Sequence, residues 1–384
     1  MDKKKFFIAT TIPASLNFFK GNLSFLSQYF DVTAISSNQE LLKEIGKREG
    51  VRTLHIPMVR PISLLKDIYC LFCFIFTFIK EKPFIVHGNT PKASFLSMIS
   101  AWVTHVPKRI YMCHGLRYQG ETNKYKRIVL VTMEKLACTC ATKVICVSYG
   151  VRETLIQDHI CSNDKAIVVH HGSASGIDIN HFNRNNADIK TTINQELGIK
   201  DTDFTFVFIG RVVQDKGVNE LVNSFCKLEK KHPHTHLIIV GPTNAETNKI
   251  SKETNTLING TQHIHIVGSQ KDVRPYLINA NALVLPSYRE GFGMVLIEAG
   301  AMSVPAIASN IIGCNEIIVP EGNGDLVEAK NVDSLFNMMK KYVENPEYVK
   351  NISQNARKMV IERYSQKTVW NNMLATYQKI CNEV

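Results

Sequence analysis

The chain has 384 residues, which is long for one hydrophobic core and favours two domains of ordinary size. An apolar fraction of 45% and a charged fraction of 21% exclude an intrinsically disordered protein. The net charge of +11 is uneven, because residues 1–189 carry 24 Lys or Arg and 14 Asp or Glu, whereas residues 190–384 carry 21 and 20. A basic half can meet anionic lipid, nucleic acid or phosphorylated substrates, or it can be a solvated face without a partner.

The first half is predicted to alternate buried strands with amphipathic helices. Its strand-like runs are short, rich in β-branched residues and bounded by Gly, Pro, Ser or His. They occupy residues 3–11, 30–36, 51–57, 83–89, 109–115, 143–148 and 166–172. The first run follows basic residues and so imitates an export signal, but Thr10 and Thr11 interrupt its apolar part, which favours a buried strand.

The second half repeats this alternation, with strands predicted at 204–210, 235–241, 262–268, 282–287 and 305–309. The pattern predicts an α/β fold with a doubly wound parallel sheet in each half. The polar, Asn-rich stretch 176–203 contains the boundary, so the predicted domains are 1–185 and 190–366. The last helix, about 367–384, is expected to pack back on the first domain. Such sheets bind ligands beyond the carboxyl ends of their strands, which predicts a site in the cleft between the domains.

The cysteines and the most apolar run of the chain favour an intracellular protein without a membrane span. Ten cysteines are scattered with no disulfide framework, which favours a reduced compartment. Cys70 and Cys73 form a C-x-x-C within the apolar run 68–79, so helix core is favoured over a redox or metal pair. That run is shorter than the roughly 20 apolar residues that a span needs.

The stretch GRVVQDKG, residues 210–217, places two cations after a predicted strand. Arg211 follows the strand end, and Lys216 and Gly217 precede a predicted helix. A guanidinium offers two parallel donors to phosphate and an ammonium offers a point charge, so the pair suits a diphosphate. The alternative is a surface Arg and Lys that flank a turn.

The stretch REGFGMVLIE, residues 289–298, places two acids around a Gly-Phe-Gly turn. A helix is predicted to begin near Gly293, and its amino end would favour a phosphate. Glu290 and Glu298 would repel phosphates but can accept hydrogen bonds from hydroxyls on either side of them. The layout predicts a site for a sugar hydroxyl, a diphosphate and a ribose. The alternative is an acid that stabilises a helix dipole and a second, exposed helical Glu.

Metal ligation is not predicted. The acids of Asp201-Thr-Asp203 come before a strand, and therefore lie at the sheet edge opposite to the expected site. The His-rich pieces 231–236, 263–265 and 168–172 sit at strand starts or alternate along a strand. They lack the i, i+4 spacing on a helix that a catalytic zinc site uses, so strand-edge histidines are favoured.

GRVVQDKG, REGFGMVLIEAGAMSVPAIAS and GCNEII together resemble the retaining GT-B glycosyltransferases of family 4, or glycosyl transferases group 1. The likeness covers nearly the whole chain and is strongest over residues 205–320. It is to members that build capsule or lipid-linked surface polysaccharides. It implies a GT-B fold, with two facing Rossmann-like domains and an interdomain cleft, and a glycosyltransferase that needs no metal or other cofactor.

The resemblance also implies roles for residues of the second domain. Glu290 would contact the donor sugar, and Glu298 the nucleotide ribose. Arg211 and Lys216 would bind the diphosphate. The residues expected to line the phosphates and sugar are Gly291, Phe292, Gly293, Met294 and Val295, and those against the base are Val267, Gly268 and Val273. Asp325 replaces an apolar residue of the family's usual turn, a change for which the sequence offers no reason.

For the first domain the resemblance implies a histidine near the donor sugar. His114 is the better match and His87 the competitor, although either can be a structural histidine at a strand end. The family's glycine-rich loop is reduced to Lys20 and Gly21, and Arg117 is also expected on the acceptor side. The predicted catalytic residues are Glu290, His114, Arg211 and Lys216.

The implied function is transfer of a sugar from a nucleotide-diphosphate sugar, with retention of anomeric configuration. UDP is the expected nucleotide and a polyprenyl-diphosphate-linked saccharide the expected acceptor. The basic first half is predicted to dock on anionic lipid, which implies a cytoplasmic enzyme at the inner face of the cell membrane. A GT-B sugar-nucleotide epimerase and a catalytically silent assembly partner stay open as alternatives. No motif supports a dehydrogenase, and no nucleic-acid partner is expected.

Overall fold

The computed structural model describes residues 3–186, 188–189, 192–243 and 247–383. The chain divides into two compact units, Met1–Gly176 with Val369–Val384, and Ile177–Thr368. Each unit contains one parallel β-sheet with helices packed against it. The predicted fold class, α/β with a doubly wound parallel sheet in each half, is confirmed.

The first unit is built on seven parallel strands in the order β3-β2-β1-β4-β5-β6-β7. The strands are β1 (Lys5–Ala9), β2 (Asp31–Ser36), β3 (Arg52–His55), β4 (Ile85–Gly88), β5 (Lys108–Cys113), β6 (Lys143–Cys146) and β7 (Ala166–Val168). The helices between them are α1 (Asn22–Leu26), α2 (Gln39–Glu49), α3 (Leu64–Glu81), α4 (Pro91–Val103), α5 (Lys124–Cys140) and α6 (Tyr149–Gln157).

The strand order of this sheet reverses between β1 and β4. Phe6 of β1 is fully buried, with Val32 of β2 on one side and Ile85 of β4 on the other. Beyond the carboxyl ends of β1 and β4, the Thr11 amide donates to the Thr90 hydroxyl at 2.9 Å. The amino end of α4 therefore lies at the switch point of the sheet, where open α/β sheets bind ligands.

Helix α4 packs against both α3 and α5. Helix α3 is apolar on two faces, because Cys70, Phe74 and Phe78 are buried while Leu65 is 82% and Phe76 69% exposed. Cys70 on this helix is a buried free thiol, and the helix-core interpretation of the C-x-x-C is confirmed for it. No helix within the described part of the chain is long and apolar enough to cross a membrane.

The last helix, α14 (Gln366–Asn382), contributes most of its length to the first unit. The Trp370 indole N–H donates to the Ser175 carbonyl oxygen at 2.9 Å. The Tyr377 hydroxyl lies 3.2 Å from His87 Nε2, and its ring meets Phe6 edge-on at 5.2 Å. Helix α14 thus completes the core around β1 and β4.

The second unit is built on six parallel strands in the order β10-β9-β8-β11-β12-β13. They are β8 (Phe204–Ile209), β9 (Thr235–Val240), β10 (Ile264–Gly268), β11 (Ala282–Leu285), β12 (Ala306–Ser309) and β13 (Gly324–Val327). The helices are α7 (Ile193–Glu196), α8 (Val218–Glu229), α9 (Lys252–Gly260), α10 (Arg274–Ile278), α11 (Met294–Ala301), α12 (Val332–Glu344) and α13 (Pro346–Tyr364). Its order reverses between β8 and β11.

Strand β13 is the one strand of the described chain that the sequence analysis missed. It contains Asp325, whose side chain is buried and accepts a hydrogen bond from the Tyr348 hydroxyl at 2.6 Å. The Lys341 ammonium lies 3.7 Å from the same carboxylate. Asp325 therefore joins β13 to α12 and α13, which explains the departure from the family's apolar residue.

Candidate active site

The candidate site of the second unit lies at the carboxyl ends of β8 and β11. Gly217 brings the loops after these two strands together, because a Cβ at this glycine would lie 1.9 Å from the Pro286 carbonyl oxygen. Its φ of 70° is also in the left-handed region that favours glycine. This close approach places Lys216, on one loop, next to Glu290 on the other.

Lys216 and Glu290 form an ion pair in which Nζ lies 2.5 Å from Oε1. The hydroxyl of Ser287, which is fully buried, donates to the same Oε1 at 2.9 Å. Both charged side chains are partly buried, so water screens their attraction less than it would at an open surface. The carboxylate of Glu290 is therefore held in one orientation by an ammonium and a hydroxyl.

A second layer of contacts fixes the two loops to each other. The Tyr288 amide donates to the Asp215 carbonyl oxygen at 2.9 Å, and the Tyr288 hydroxyl donates to Glu220 at 2.7 Å. The Arg289 guanidinium donates to the Asp215 carboxylate at 3.1 Å. None of these residues was predicted from the sequence to belong to the site. The only signal in the sequence for these residues is that they lie in or next to the two motifs.

Two of the predicted residues are left available for a ligand. The Arg211 guanidinium, directly after β8, is exposed and has no hydrogen-bond or ion-pair partner among the described residues. The carboxyl group of Glu298 on α11 likewise has no such partner in the described ranges. Burial disfavours its charged form and raises its pKa to about 7. A ligand hydroxyl that donates to Glu298 would supply the missing hydrogen bond.

The amino end of α11 follows the Gly-Phe-Gly turn, as predicted. The helix begins at Met294 without a side-chain cap, and its first turn contains no acid. The Gly293 amide donates to the Gly313 carbonyl oxygen at 2.9 Å, and a Cβ at Gly313 would lie 2.7 Å from the Gly291 carbonyl oxygen. The turn is therefore held by backbone contacts, and the uncapped helix end favours an anion.

The other predicted residues of the second unit lie around these groups or on the same sheet edge. Phe292 packs edge-on against Tyr364 at 5.5 Å, and Val295 belongs to the first turn of α11. Val267 and Gly268 end β10, and Val273 directly precedes α10. All three are partly exposed, at the carboxyl end of a strand two places from β8.

The two candidate histidines of the first unit have different environments. His87 is fully buried, with Nδ1 2.7 Å from the Asn89 side-chain nitrogen and Nε2 3.2 Å from the Tyr377 hydroxyl. Burial lowers its pKa to about 3, and the structure places it in the core. His114 follows β5, is half-buried, and lies 6.3 Å from the exposed ring of Phe18. Burial lowers its pKa to about 4, so it is neutral at pH 7.

The glycine loop of the first unit is occupied by the protein itself. The Gly21 amide donates to both carboxylate oxygens of Glu49, at 3.1 and 3.0 Å. A Cβ at Gly21 would lie 2.9 Å from the Trp370 ring. The backbone of Gly21 therefore has a structural role, while Lys20 and Arg117 are exposed. Glu49 is too distant in sequence for this contact to be predicted.

The structure confirms that Asp201 and Asp203 lie at the sheet edge opposite to the candidate site. Asp203 precedes β8 and lies 3.3 Å from His236 Nε2, at the amino end of the sheet. Among the residues that the structure describes, no three His, Cys, Asp or Glu side chains are grouped so that they could hold a metal ion.

Two protein-family models match the chain, one for each unit. The model described as Glycosyltransferase Family 4 matches residues 25–173, and the one described as Glycosyl transferases group 1 matches residues 189–359. The chain is 32% identical over 385 residues to the capsular polysaccharide biosynthesis glycosyltransferase CapM of Staphylococcus aureus, covering 100% of this chain and 99% of CapM.

Two further similarities extend over most of the chain. It is 26% identical to the UDP-Gal:alpha-D-GlcNAc-diphosphoundecaprenol alpha-1,3-galactosyltransferase of Escherichia coli, covering 88% of this chain and 86% of that enzyme. The crystal structure of Anabaena HepE in complex with UDP is similar with a TM-score of 0.80 at 18% identity, covering 98% of this chain and 100% of HepE. This structural likeness confirms the predicted GT-B fold class.

Proposed function

The chain belongs to the family 4 (group 1) glycosyltransferases, and from this premise we propose that it moves a sugar from a UDP-sugar to a lipid-linked saccharide with retention of configuration. The observation that carries the donor half of this proposal is the cluster at the start of α11. There Lys216 and Ser287 orient Glu290, while Arg211 and Glu298 have no partner within the described residues. Nucleotide-diphosphate sugars offer hydroxyls and phosphates to such a cluster.

The proposed chemistry uses the leaving diphosphate as the proton acceptor. The bond from the sugar's anomeric carbon to the diphosphate oxygen breaks, and the acceptor oxygen bonds to that carbon on the same face. The acceptor's proton passes to the departing diphosphate. Arg211, Lys216 and the amino end of α11 stabilise the charge that develops there, so no metal is required. Glu290 binds a donor-sugar hydroxyl and Glu298 the ribose.

UDP as the nucleotide is supported by two of the similar proteins. HepE is described in complex with UDP, and the enzyme from Escherichia coli is named for UDP-Gal. In this proposal the uracil lies against Val267, Gly268 and Val273, and neutral His114 lies near the donor sugar. A neutral histidine suits that place, because it can donate a hydrogen bond without adding a charge.

The acceptor is proposed to be a polyprenyl-diphosphate-linked saccharide in the synthesis of a capsule or a similar surface polysaccharide. The name of the Escherichia coli enzyme supports the lipid-linked acceptor, and the name of CapM supports capsule synthesis. A lipid acceptor requires the enzyme to work at a membrane. The excess of cations in residues 1–189 supports docking on anionic lipid at the cytoplasmic face.

Calorimetric titration with UDP, GDP, TDP and ADP, in the presence of a chelator, tests the donor half. We expect binding of UDP that is lost in Arg211→Ala. The matched control is Lys227→Ala, because Lys227 is an exposed cation of α8 that pairs with Asp333 at 2.9 Å. Equal binding of all four nucleotides, or equal loss in both variants, would contradict the proposed site.

The same preparation separates the proposal from its alternatives. An epimerase would turn over a UDP-sugar without any acceptor, whereas a transferase releases UDP only with an acceptor or, slowly, with water. A catalytically silent assembly partner would bind none of the four nucleotides. Either of these results would remove the transferase proposal.

A further inference from the structure

The first unit contains a shallow pocket, open to solvent, that has no part in the donor cluster. It lies among the segment before α3, the amino end of α4 and the middle of α5. We call it the cationic pocket, because its lining includes Arg60, Lys92 and Arg117 together with one acid, Glu134. Of these residues only Arg117 was predicted from the sequence to belong to a binding site.

The position of the cationic pocket favours an anion. Lys92 lies in the first turn of α4, a helix of 13 residues that begins without a side-chain cap. This helix end is at the switch point between β1 and β4, and its dipole attracts negative charge. The Lys92 ammonium is only 6% exposed and is fixed by Asp67 at 2.6 Å and by the Pro61 carbonyl oxygen.

Asp67 neutralises the charge of Lys92, so the remaining positive charge of the pocket comes from two arginines. Arg60 and Arg117 are exposed, and neither has a hydrogen-bond or ion-pair partner among the residues that the structure describes. Guanidinium groups bind phosphate oxygens through two parallel N–H donors. Two free guanidiniums from different segments of one pocket suit a ligand with two phosphates.

Glu134 is the one acid of the pocket lining, and a bound anion would raise its pKa further. It is 8% exposed and accepts a hydrogen bond from the Tyr111 hydroxyl. Burial raises the pKa of this carboxyl to about 6, so a nearby anion would favour its neutral form.

The rim of the cationic pocket is apolar and continues onto an exposed apolar surface. Ile62, Leu130 and Met133 line the pocket itself. The exposed apolar residues of the two flanking helices are Leu64, Leu65, Ile68, Tyr69, Phe72, Phe76 and Ile79 on α3, and Tyr125, Ile128, Val129 and Leu136 on α5. A helix that is apolar on both faces is normally covered, and Lys66 and Arg127 among these residues favour an anionic lipid surface as the cover.

We propose that the cationic pocket binds the diphosphate of the polyprenyl-diphosphate-linked acceptor, and that the isoprenoid chain leaves over Leu130 toward a bilayer against α3 and α5. Arg60 and Arg117 bind the two phosphates, and Lys92 and the dipole of α4 add to the electrostatic attraction. The proposal rests on the proposed function for the class of acceptor. The pocket itself supports a diphosphate attached to an apolar chain.

The test is calorimetric titration of the full chain with farnesyl diphosphate, a short soluble isoprenyl diphosphate, in saturating UDP. UDP blocks any binding of farnesyl diphosphate to Arg211 and Lys216. We expect Arg60→Ala/Arg117→Ala to weaken binding by roughly 30-fold or more, because two charge-assisted contacts are lost. The matched control, Lys124→Ala/Arg127→Ala, removes two exposed cations of α5 outside the pocket and changes affinity less than about 3-fold at physiological salt.

Several results would overturn this inference. Absence of farnesyl diphosphate binding, or equal losses in the two double variants, would do so. Inorganic diphosphate should compete, and glycerol 1-phosphate, a soluble mimic of the phosphatidylglycerol headgroup, should not. If glycerol 1-phosphate competes as well as diphosphate does, the pocket binds a phospholipid headgroup. UDP binding to the same protein separates the two proposals, because it depends on the second unit and is unaffected if the cationic pocket has been wrongly assigned.

Discussion

The donor cluster of the second unit and the cationic pocket of the first unit both lie where the strand order of a sheet reverses, but their charges are balanced differently. In the donor cluster Lys216 faces Glu290 and Arg289 faces Asp215, so most charges already have a partner. In the pocket only Lys92 is paired, and two arginines are free within the described chain. Paired charges fix the geometry of a reacting group, whereas free cations on an apolar rim suit an anionic lipid.

The largest effect is expected from breaking the Lys216–Glu290 pair. Lys216→Ala and Glu290→Gln should each lower kcat by about 100-fold or more, since each removes a group aimed at the leaving diphosphate or the donor sugar. The unfolding temperature should change by no more than about 4 °C, because both side chains are partly exposed. Steady-state release of UDP and a thermal melt provide the two measurements.

Lys227→Ala is the control for that pair, and it should leave kcat unchanged. Wild-type turnover in Glu290→Gln would remove this carboxylate from the mechanism. Loss of turnover in parallel with loss of folded protein would show that the pair serves stability alone.

The next largest effect is a loss of stability when the close contact between the two loops of the donor cluster is disturbed. Gly217→Ala should destabilise the second unit by about 3 kcal/mol or more, because the new methyl group meets the Pro286 carbonyl in addition to the cost of a positive φ. Gly198→Ala is the matched control, since Gly198 has the same φ of 70° with nothing near its Cβ position. It should cost about 1 kcal/mol. Urea unfolding compares the two, and equal losses would mean that the close approach is unimportant.

A smaller effect is expected from the apolar surface of the first unit. Phe72→Glu/Phe76→Glu should weaken sedimentation with phosphatidylglycerol vesicles by about tenfold or more, because it places two acids where lipid is proposed to lie. UDP binding should be unchanged. Leu41→Glu changes an exposed apolar residue of α2 on the same unit, and it should bind vesicles as the wild type does. Binding that is independent of both changes would refute docking by this surface.

The smallest expected effect is the release of a fraction of a proton when the nucleotide binds. The pKa of Glu298 is raised from 4.5 to about 7 in the folded protein, so the stability linked to its neutral form is present below pH 4.5 and is lost as the pH rises through 7. A ribose hydroxyl that donates to Glu298 favours the charged form. UDP binding at pH 7 should therefore release a fraction of a proton, measurable by calorimetry in phosphate and in Tris.

Glu298→Gln provides the baseline for that measurement, because the nucleotide's own phosphate also titrates near this pH. The variant should release fewer protons than the wild type, and its UDP affinity should vary less between pH 6 and 8. Identical proton release in both proteins would mean that Glu298 does not touch the ribose.

The same contrast between units decides how much could be predicted from sequence. The donor cluster depends on residues in two short stretches, 210–217 and 287–298. The strand–loop–helix pattern predicted that each lies after a strand, and the family resemblance implied that they share a ligand. Strand β13 was missed because Gly-Asp-Leu-Val is short and polar. Its glycine is required by packing, since a Cβ at Gly324 would lie 2.1 Å from the Ala306 carbonyl oxygen.

The cationic pocket had no comparable signal, because its lining comes from four distant segments that only the folded sheet brings together. The uneven charge predicted a basic surface but not its position. His87 and Gly21 were candidates by motif, yet their partners Tyr377 and Glu49 lie far along the chain. Local patterns predict loops at strand ends, whereas contacts between distant segments require the structure.

The return of α14 to the first unit has a consequence for the order in which the protein is made. Trp370 covers Gly21 and binds Ser175, and Tyr377 closes the core beside β1, so the first unit includes residues that the ribosome adds after the whole second unit. The second unit, which is continuous in sequence, can fold during synthesis. The first unit, with its exposed apolar helix, is completed only after α14 has been translated.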